Sequence, residues 1–123
     1  YEPYISVQKM AKTNMQDSGS KIEILHEPSE AIKNANIIYT DTFVSMGNEA
    51  EREIRLKTFL PKYKVTSDLF KYASKDALFM HCLPAHRNEE VTNEVIDGIH
   101  SVIWDQAENR LYTAKALLLK IVS

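Results

Sequence analysis

Ala77-Leu78-Phe79-Met80-His81-Cys82-Leu83-Pro84 is the stretch that decides the architecture. Its first four residues form a short apolar run of the kind found in a strand covered on both faces. The run is expected to end at His81, because Pro84 lacks an N–H and restricts Leu83 to extended geometry. The chain thus leaves a buried strand with an imidazole and its single cysteine at the strand's carboxyl end. In open α/β sheets, that end is where ligands bind.

Upstream of this strand, Leu56, Phe59, Leu60 and Tyr63 recur at i, i+3, i+4 and i+7. Glu51, Arg52, Glu53 and Arg55 are left for solvent, so residues 49–63 read as an amphipathic helix. Thr66 or Ser67 caps a further helix through residue 73. Residues 36–40, Asn-Ile-Ile-Tyr-Thr, read as a strand that follows a short helix over 28–35 opened by Pro28. Nearer the start, Ile22-Glu23-Ile24-Leu25 reads as a strand. Residues 4–14 read as a helix with Ile5, Val7 and Met10 as apolar contacts, closed by Ser18-Gly19.

Beyond Pro84, Thr92 caps a short helix ending near Gly98, and Ser101-Val102-Ile103-Trp104 reads as a fourth strand. Asp105 with Glu108 resembles a capping box, opening a long terminal helix with Ala107, Leu111, Ala114, Leu118 and Ile121 along one face. Strands alternating with helices imply parallel pairing and right-handed crossovers. The expected class is α/β: an open, mostly parallel, Rossmann-like sheet with helices on both faces. The chain begins at a helix, so the first strand and helix of such a sheet are expected to be missing, and residues 1–123 read as one domain incomplete at its amino end. No repeat or low-complexity linker interrupts it.

Composition narrows the functional classes. The length of 123 residues suits one domain with a real core, and 44% hydrophobic with 26% charged residues leaves no case for disorder. Fifteen basic against seventeen acidic residues give a net charge of -2, without the basic surface that would attract nucleic acid. One cysteine cannot form an internal disulfide. Neither a signal peptide nor an apolar run of about 18 residues occurs, so a cytoplasmic protein with no membrane partner is expected.

Three groups of residues carry possible chemistry. A free cysteine is most often a small buried apolar residue, but His81 and Pro84 place Cys82 at a loop mouth and favour function. Zinc ligation by His81, Cys82 and His86 lacks further ligands at suitable spacing, so no metal is expected. A cysteine hydrolase needs a base such as His81, His86 or His26; His81 is poorly placed, since adjacent strand residues face opposite ways. The second group is Thr40-Asp41-Thr42-Phe43-Val44-Ser45-Met46-Gly47, again where a strand enters a loop. It reads either as a capped turn or as a carboxylate sharing a cleft with Cys82, a cleft suited to an amine. The third is Glu108-Asn109-Arg110, whose arginine is either a solvated helix residue or a fork for an anion in that cleft.

Taken together, His81-Cys82-Leu83-Pro84, Asp41 with Ser45-Met46-Gly47, and Glu108-Asn109-Arg110 resemble the ornithine-binding domain of ornithine carbamoyltransferases. The resemblance extends over nearly all of the chain, including Glu89-Glu90-Val91-Thr92. It implies carbamoyl transfer from carbamoyl phosphate to the δ-amine of ornithine, giving citrulline and phosphate without a cofactor. It also implies that Asp41, Ser45 and Met46 contact ornithine, that Cys82 and Leu83 line the junction of both substrates, and that Arg110 reaches carbamoyl phosphate. His81 is implied to support the carbamoyl oxygen, with Asp41, His81 and Cys82 as the catalytic group. The family's Ser-Thr-Arg-Thr phosphate signature is absent; it belongs to an amino-terminal carbamoyl-phosphate domain, the implied partner in a homotrimer. An aspartate-specific relative would carry proline at Cys82, and a putrescine-specific one would lack Ser45-Met46-Gly47. An inactive remnant or interaction module of the same fold is the alternative.

Overall fold

The computed structural model describes residues 1–122. Its centre is a parallel pair, β1 (Ile37–Thr40) and β2 (Leu78–His81), in the register Ile38↔Phe79 and Thr40↔His81. Side chains alternate across this pair, so Ile38, Phe79 and His81 point into the core while Ile37, Tyr39 and Leu78 stay exposed. Val65, Val91, Val95, Ile96 and Ile103 close around Phe79, with Ile32, Phe70, Ala73 and Ala85 packed at the margin.

The connections follow the sequence pattern. Helix α1 (Ile5–Ser18) ends where Gly19 adopts φ 68 and donates its N–H to Met15 O, a left-handed close that costs glycine little. Pro28 opens α2 (Pro28–Ala31), and β1 follows. A 3-10 turn at Glu49–Glu51 leads into α3 (Arg52–Phe59), shorter than the 49–63 expectation because Pro61 breaks the backbone ladder. Thr66 caps α4 (Ser67–Phe70), accepting the Leu69 N–H at 3.1 Å. After β2 come α5 (Asn93–Ile96) and α6 (Ile103–Val122).

Three expectations need correction. Residues 22–25 form no strand, because among the described residues β1 pairs with β2 alone and no ladder partner reaches that stretch. The fourth strand shrinks to a single bridge, Phe79↔Ser101, because Gln106 N–H already bonds Val102 O and α6 starts at Ile103. Asp105 therefore lies inside the first turn, where its charge complements the helix dipole, and is not the cap. Among the described residues the sheet accordingly has two strands rather than four. Along α6 only Ile103 is buried; Leu111, Leu118 and Ile121 face solvent. Among the described residues no helix is long and apolar enough to cross a membrane.

Phe79 is fully buried and bridges both sides of the core through its ring and its backbone. Replacing it by Ala should lower stability by about 3–5 kcal/mol through lost contacts and a residual cavity. An unchanged midpoint in urea unfolding would contradict this placement of the core.

Candidate active site

The register Thr40↔His81 makes Asp41 and Cys82 the first residues beyond two adjacent strand ends. They meet: the Cys82 thiol donates to Asp41 Oδ1 at 3.0 Å, and the same oxygen accepts the Thr42 N–H at 2.7 Å. Burial pushes the Cys82 thiol up, reinforced by the hydrogen bond and charge of Asp41 and opposed by Tyr39 and its own backbone. At neutral pH the sulfur is consequently a protonated donor. That argues against the cysteine-hydrolase option, which requires a thiolate.

Around this pair lies a cleft of about 360 Å³, lined by Asp41, Ser45, Met46, Arg52, Cys82 and Leu83 among others. Its outer wall is the Ser45-Met46-Gly47 turn, closed by Asn48 N–H on Ser45 O at 3.0 Å, with Gly47 at φ 88. The Gly47 N–H donates to Glu49 Oε1 at 3.0 Å, and backbone bonds from Glu49 and Gly47 hold the Glu49 carboxyl below its usual range. Met46 is 87% exposed, free to cover whatever enters. The base of this wall is fixed by buried Val44 and by Phe43 stacked on Phe59 at 5.0 Å. Thr42 Oγ1 lies 3.2 Å from Val44 O and 2.9 Å from His86 Nδ1, tying the two walls together.

His81 is placed differently from the role the resemblance implies. Its side chain is fully buried, Nδ1 accepts the Leu83 N–H at 2.8 Å, and Nε2 lies 3.1 Å from Glu90 Oε1. Since Nδ1 accepts, Nε2 carries the proton and donates to Glu90. Both ring nitrogens are thus engaged by the protein and neither is directed at the cleft, because His81 and Cys82 face opposite sides of the strand. Leu83 also departs from extended geometry, adopting φ 56 before a cis bond to Pro84. Arg110 remains exposed on α6 and donates from Nη1 to the Cys82 backbone carbonyl at 3.0 Å, which ties α6 to the strand exit.

Glu90, Thr42 and Arg52 belong to this neighbourhood although the motifs single out none of them for a site role, and His86 joins it as a partner of Thr42 rather than as a base or zinc ligand. Thr42 and His86 sit within or beside those motifs; Glu90 gives no sign, since a glutamate in Asn88-Glu89-Glu90 reads as a surface residue. Among the described residues, His86, Glu89 and Glu90 place ligand-type atoms within 4.8 Å of one another. Arg52 pairs with Glu89 Oε1 and Glu90 Oε1 accepts the His86 backbone N–H, while Glu89 Oε2 and Glu90 Oε2 are buried without a hydrogen-bond partner. The grouping of His81, Cys82 and His86 weighed as a zinc set is not assembled, with sulfur and imidazole turned to Asp41 and Glu90.

Residues 1–121 match the Asp/Orn binding domain of aspartate/ornithine carbamoyltransferase. The chain belongs to this family. A relative from Pyrococcus furiosus named an anabolic ornithine carbamoyltransferase is 54% identical over 122 residues, covering 99% of this chain and 38% of its own length. The solved ornithine carbamoyltransferase of Pyrococcus furiosus aligns with a TM-score of 0.88 at 56% identity, over 96% of this chain and 37% of that one. The anabolic ornithine carbamoyltransferase of Campylobacter jejuni gives 0.90 at 38% identity, over 97% and 39%. The chain therefore spans less than two fifths of these carbamoyltransferases. Their likeness agrees with a Rossmann-like α/β fold for this domain.

Asp41→Asn should lower the Cys82 pKa by removing a negative neighbour. More of the sulfur is then thiolate at pH 7.5, and alkylation by iodoacetamide should accelerate by roughly three- to tenfold. Equal rates in the two proteins would show that Asp41 does not govern the thiol.

Proposed function

We propose that this chain supplies the ornithine-binding part of an ornithine carbamoyltransferase, which joins the carbamoyl group of carbamoyl phosphate to the δ-amine of ornithine. The observation that carries this reading is the Cys82–Asp41 pair, a protonated thiol on a carboxylate at the mouth of a cleft bordered by Ser45-Met46-Gly47. A primary amine has a pKa near about 10.4, so it arrives protonated and must lose a proton before attacking. Asp41 attracts and orients the ammonium and takes up its proton, with Cys82 as relay: the thiol passes its own proton to Asp41 as it receives the one leaving nitrogen. Ser45 and Met46, on the exposed turn, hold the amino-acid end.

Carbamoyl phosphate sits on the other side of Cys82. Arg110 spends one N–H on Cys82 O and has four more for the anion, while Cys82 and Leu83 line the meeting point of the two substrates. The amine attacks the carbonyl carbon, the C–O bond to phosphate breaks, and citrulline and phosphate leave. A protonated thiol supports direct transfer without a carbamoyl-cysteine intermediate. His81 acts from beneath by shaping Leu83, and no cofactor enters the reaction. The remaining phosphate contacts come from an amino-terminal carbamoyl-phosphate domain, in a cytoplasmic homotrimer serving arginine metabolism.

The test is citrulline formation after adding the carbamoyl-phosphate domain of a relative. Turnover is expected with the pair, and a folded but inactive pair would favour the inactive module. In the active assembly, Cys82→Ala should lower kcat/KM for ornithine by about 10²-fold or more while leaving the KM for carbamoyl phosphate nearly unchanged. Equal losses for both substrates would contradict the amine as the partner of Cys82.

A further inference from the structure

We propose that Glu90 is a positioning residue: its carboxylate clamps both ends of the 81–86 loop and locks His81 in the Nε2–H tautomer, thereby holding Cys82 and Leu83 against Asp41. The clamp itself is a matter of geometry, whereas its catalytic meaning rests on the carbamoyltransferase reading.

Glu90 is 0% exposed, and among the described residues no Lys or Arg pairs with it. Burying a carboxylate away from any cation is unfavourable unless hydrogen bonds replace its water, and a well-packed apolar residue would serve a core better. The bonds it does make are concentrated on Oε1, which accepts His81 Nε2–H at 3.1 Å and His86 N–H at 2.5 Å. These two residues bracket Cys82-Leu83-Pro84-Ala85, so one oxygen gathers both ends of the loop that carries the thiol. The Glu90 backbone is itself anchored, since its carbonyl accepts the Val65 N–H at 2.9 Å beside the Val65↔Val91 bridge.

From each end the constraint passes into the cleft. His81 Nδ1 accepts the Leu83 N–H at 2.8 Å, which supports Leu83 at φ 56, a conformation that a branched side chain seldom adopts. The opposite tautomer would set an N–H against the Leu83 N–H and a lone pair against the Glu90 carboxylate, so two attractions would become repulsions together. At the far end, His86 reaches Thr42, the residue next to Asp41. The Thr42 hydroxyl proton is directed to Val44 O, which leaves His86 Nδ1–H as the donor to Thr42 Oγ1. Glu90 in this way touches neither Cys82 nor Asp41 yet controls the backbone on both sides of their contact.

Histidine-15N NMR of this chain tests the clamp directly. In the wild type, His81 should show an unprotonated Nδ1 and a protonated Nε2; the Nδ1–H tautomer would overturn the proposal. Glu90→Gln keeps an acceptor oxygen at the same place and should preserve that signature and the slow exchange of the Leu83 amide. In Glu90→Ala the signature should be lost and Leu83 exchange should quicken by roughly tenfold or more, while Phe79 and Val102 amides stay protected. A folded Glu90→Ala with unchanged tautomer and Leu83 protection would overturn the proposal; if that variant does not fold, the wild-type and Glu90→Gln spectra decide. These measurements need no substrate, so a chain that passes them while its completed assembly makes no citrulline retains the clamp and loses the carbamoyltransferase reading. In an active assembly, Glu90→Ala should depress kcat by about tenfold or more, with the KM for carbamoyl phosphate little changed and Glu90→Gln restoring the rate.

Discussion

The parallel register between β1 and β2 is the constraint on which the cleft depends. Pairing Thr40 with His81 leaves Asp41 and Cys82 as the next residues out, on neighbouring strands at the same end of the sheet. Because side chains alternate with a period of two, a slip of one residue would send His81 to the solvent side and Cys82 into the core. Phe79 guards against that slip, since it would be turned out of the apolar interior and away from Ile38 at the same time. Core packing and site geometry are therefore one specification read at two points along the same strands.

Much of this is legible in the order of residues. The run 77–80 announces a buried strand, Asn36 to Thr40 announces its neighbour, and their polar exits mark where chemistry lies. The strand expected at 22–25 does not form, and the reason is physical: alternating Ile22, Ile24 and their neighbours state a preference, but a ladder needs a partner, and none reaches them among the described residues. Residues 101–104 are apolar enough for a strand, while the Val102–Gln106 bond commits the backbone to a helix. Local preference loses there to the next element.

The site is legible as a set of residue types and less so as a set of roles. Cys82 and Asp41 can be paired from their positions, and the alternation of a strand already implies that His81 and Cys82 look opposite ways. What a linear reading lacks is the depth of His81 and its buried partner. Glutamate carries no mark in a sequence that says whether water surrounds it, and Glu90 is identified only by its burial and by the two donors converging on one of its oxygens. The polar groups that shape the cleft from below are thus the ones that motif reasoning is least able to find.

Ile37 and Tyr39, on the face of β1 opposite Ile38, are about half exposed, and among the described residues no further strand pairs with the edge of β1 turned away from β2. Its backbone donors and acceptors are a template for strand addition by any extended chain that approaches, and apolar side chains beside it strengthen the attraction. An uncovered edge of this kind favours self-association in concentrated solution, and a net charge of -2 supplies little mutual repulsion against it.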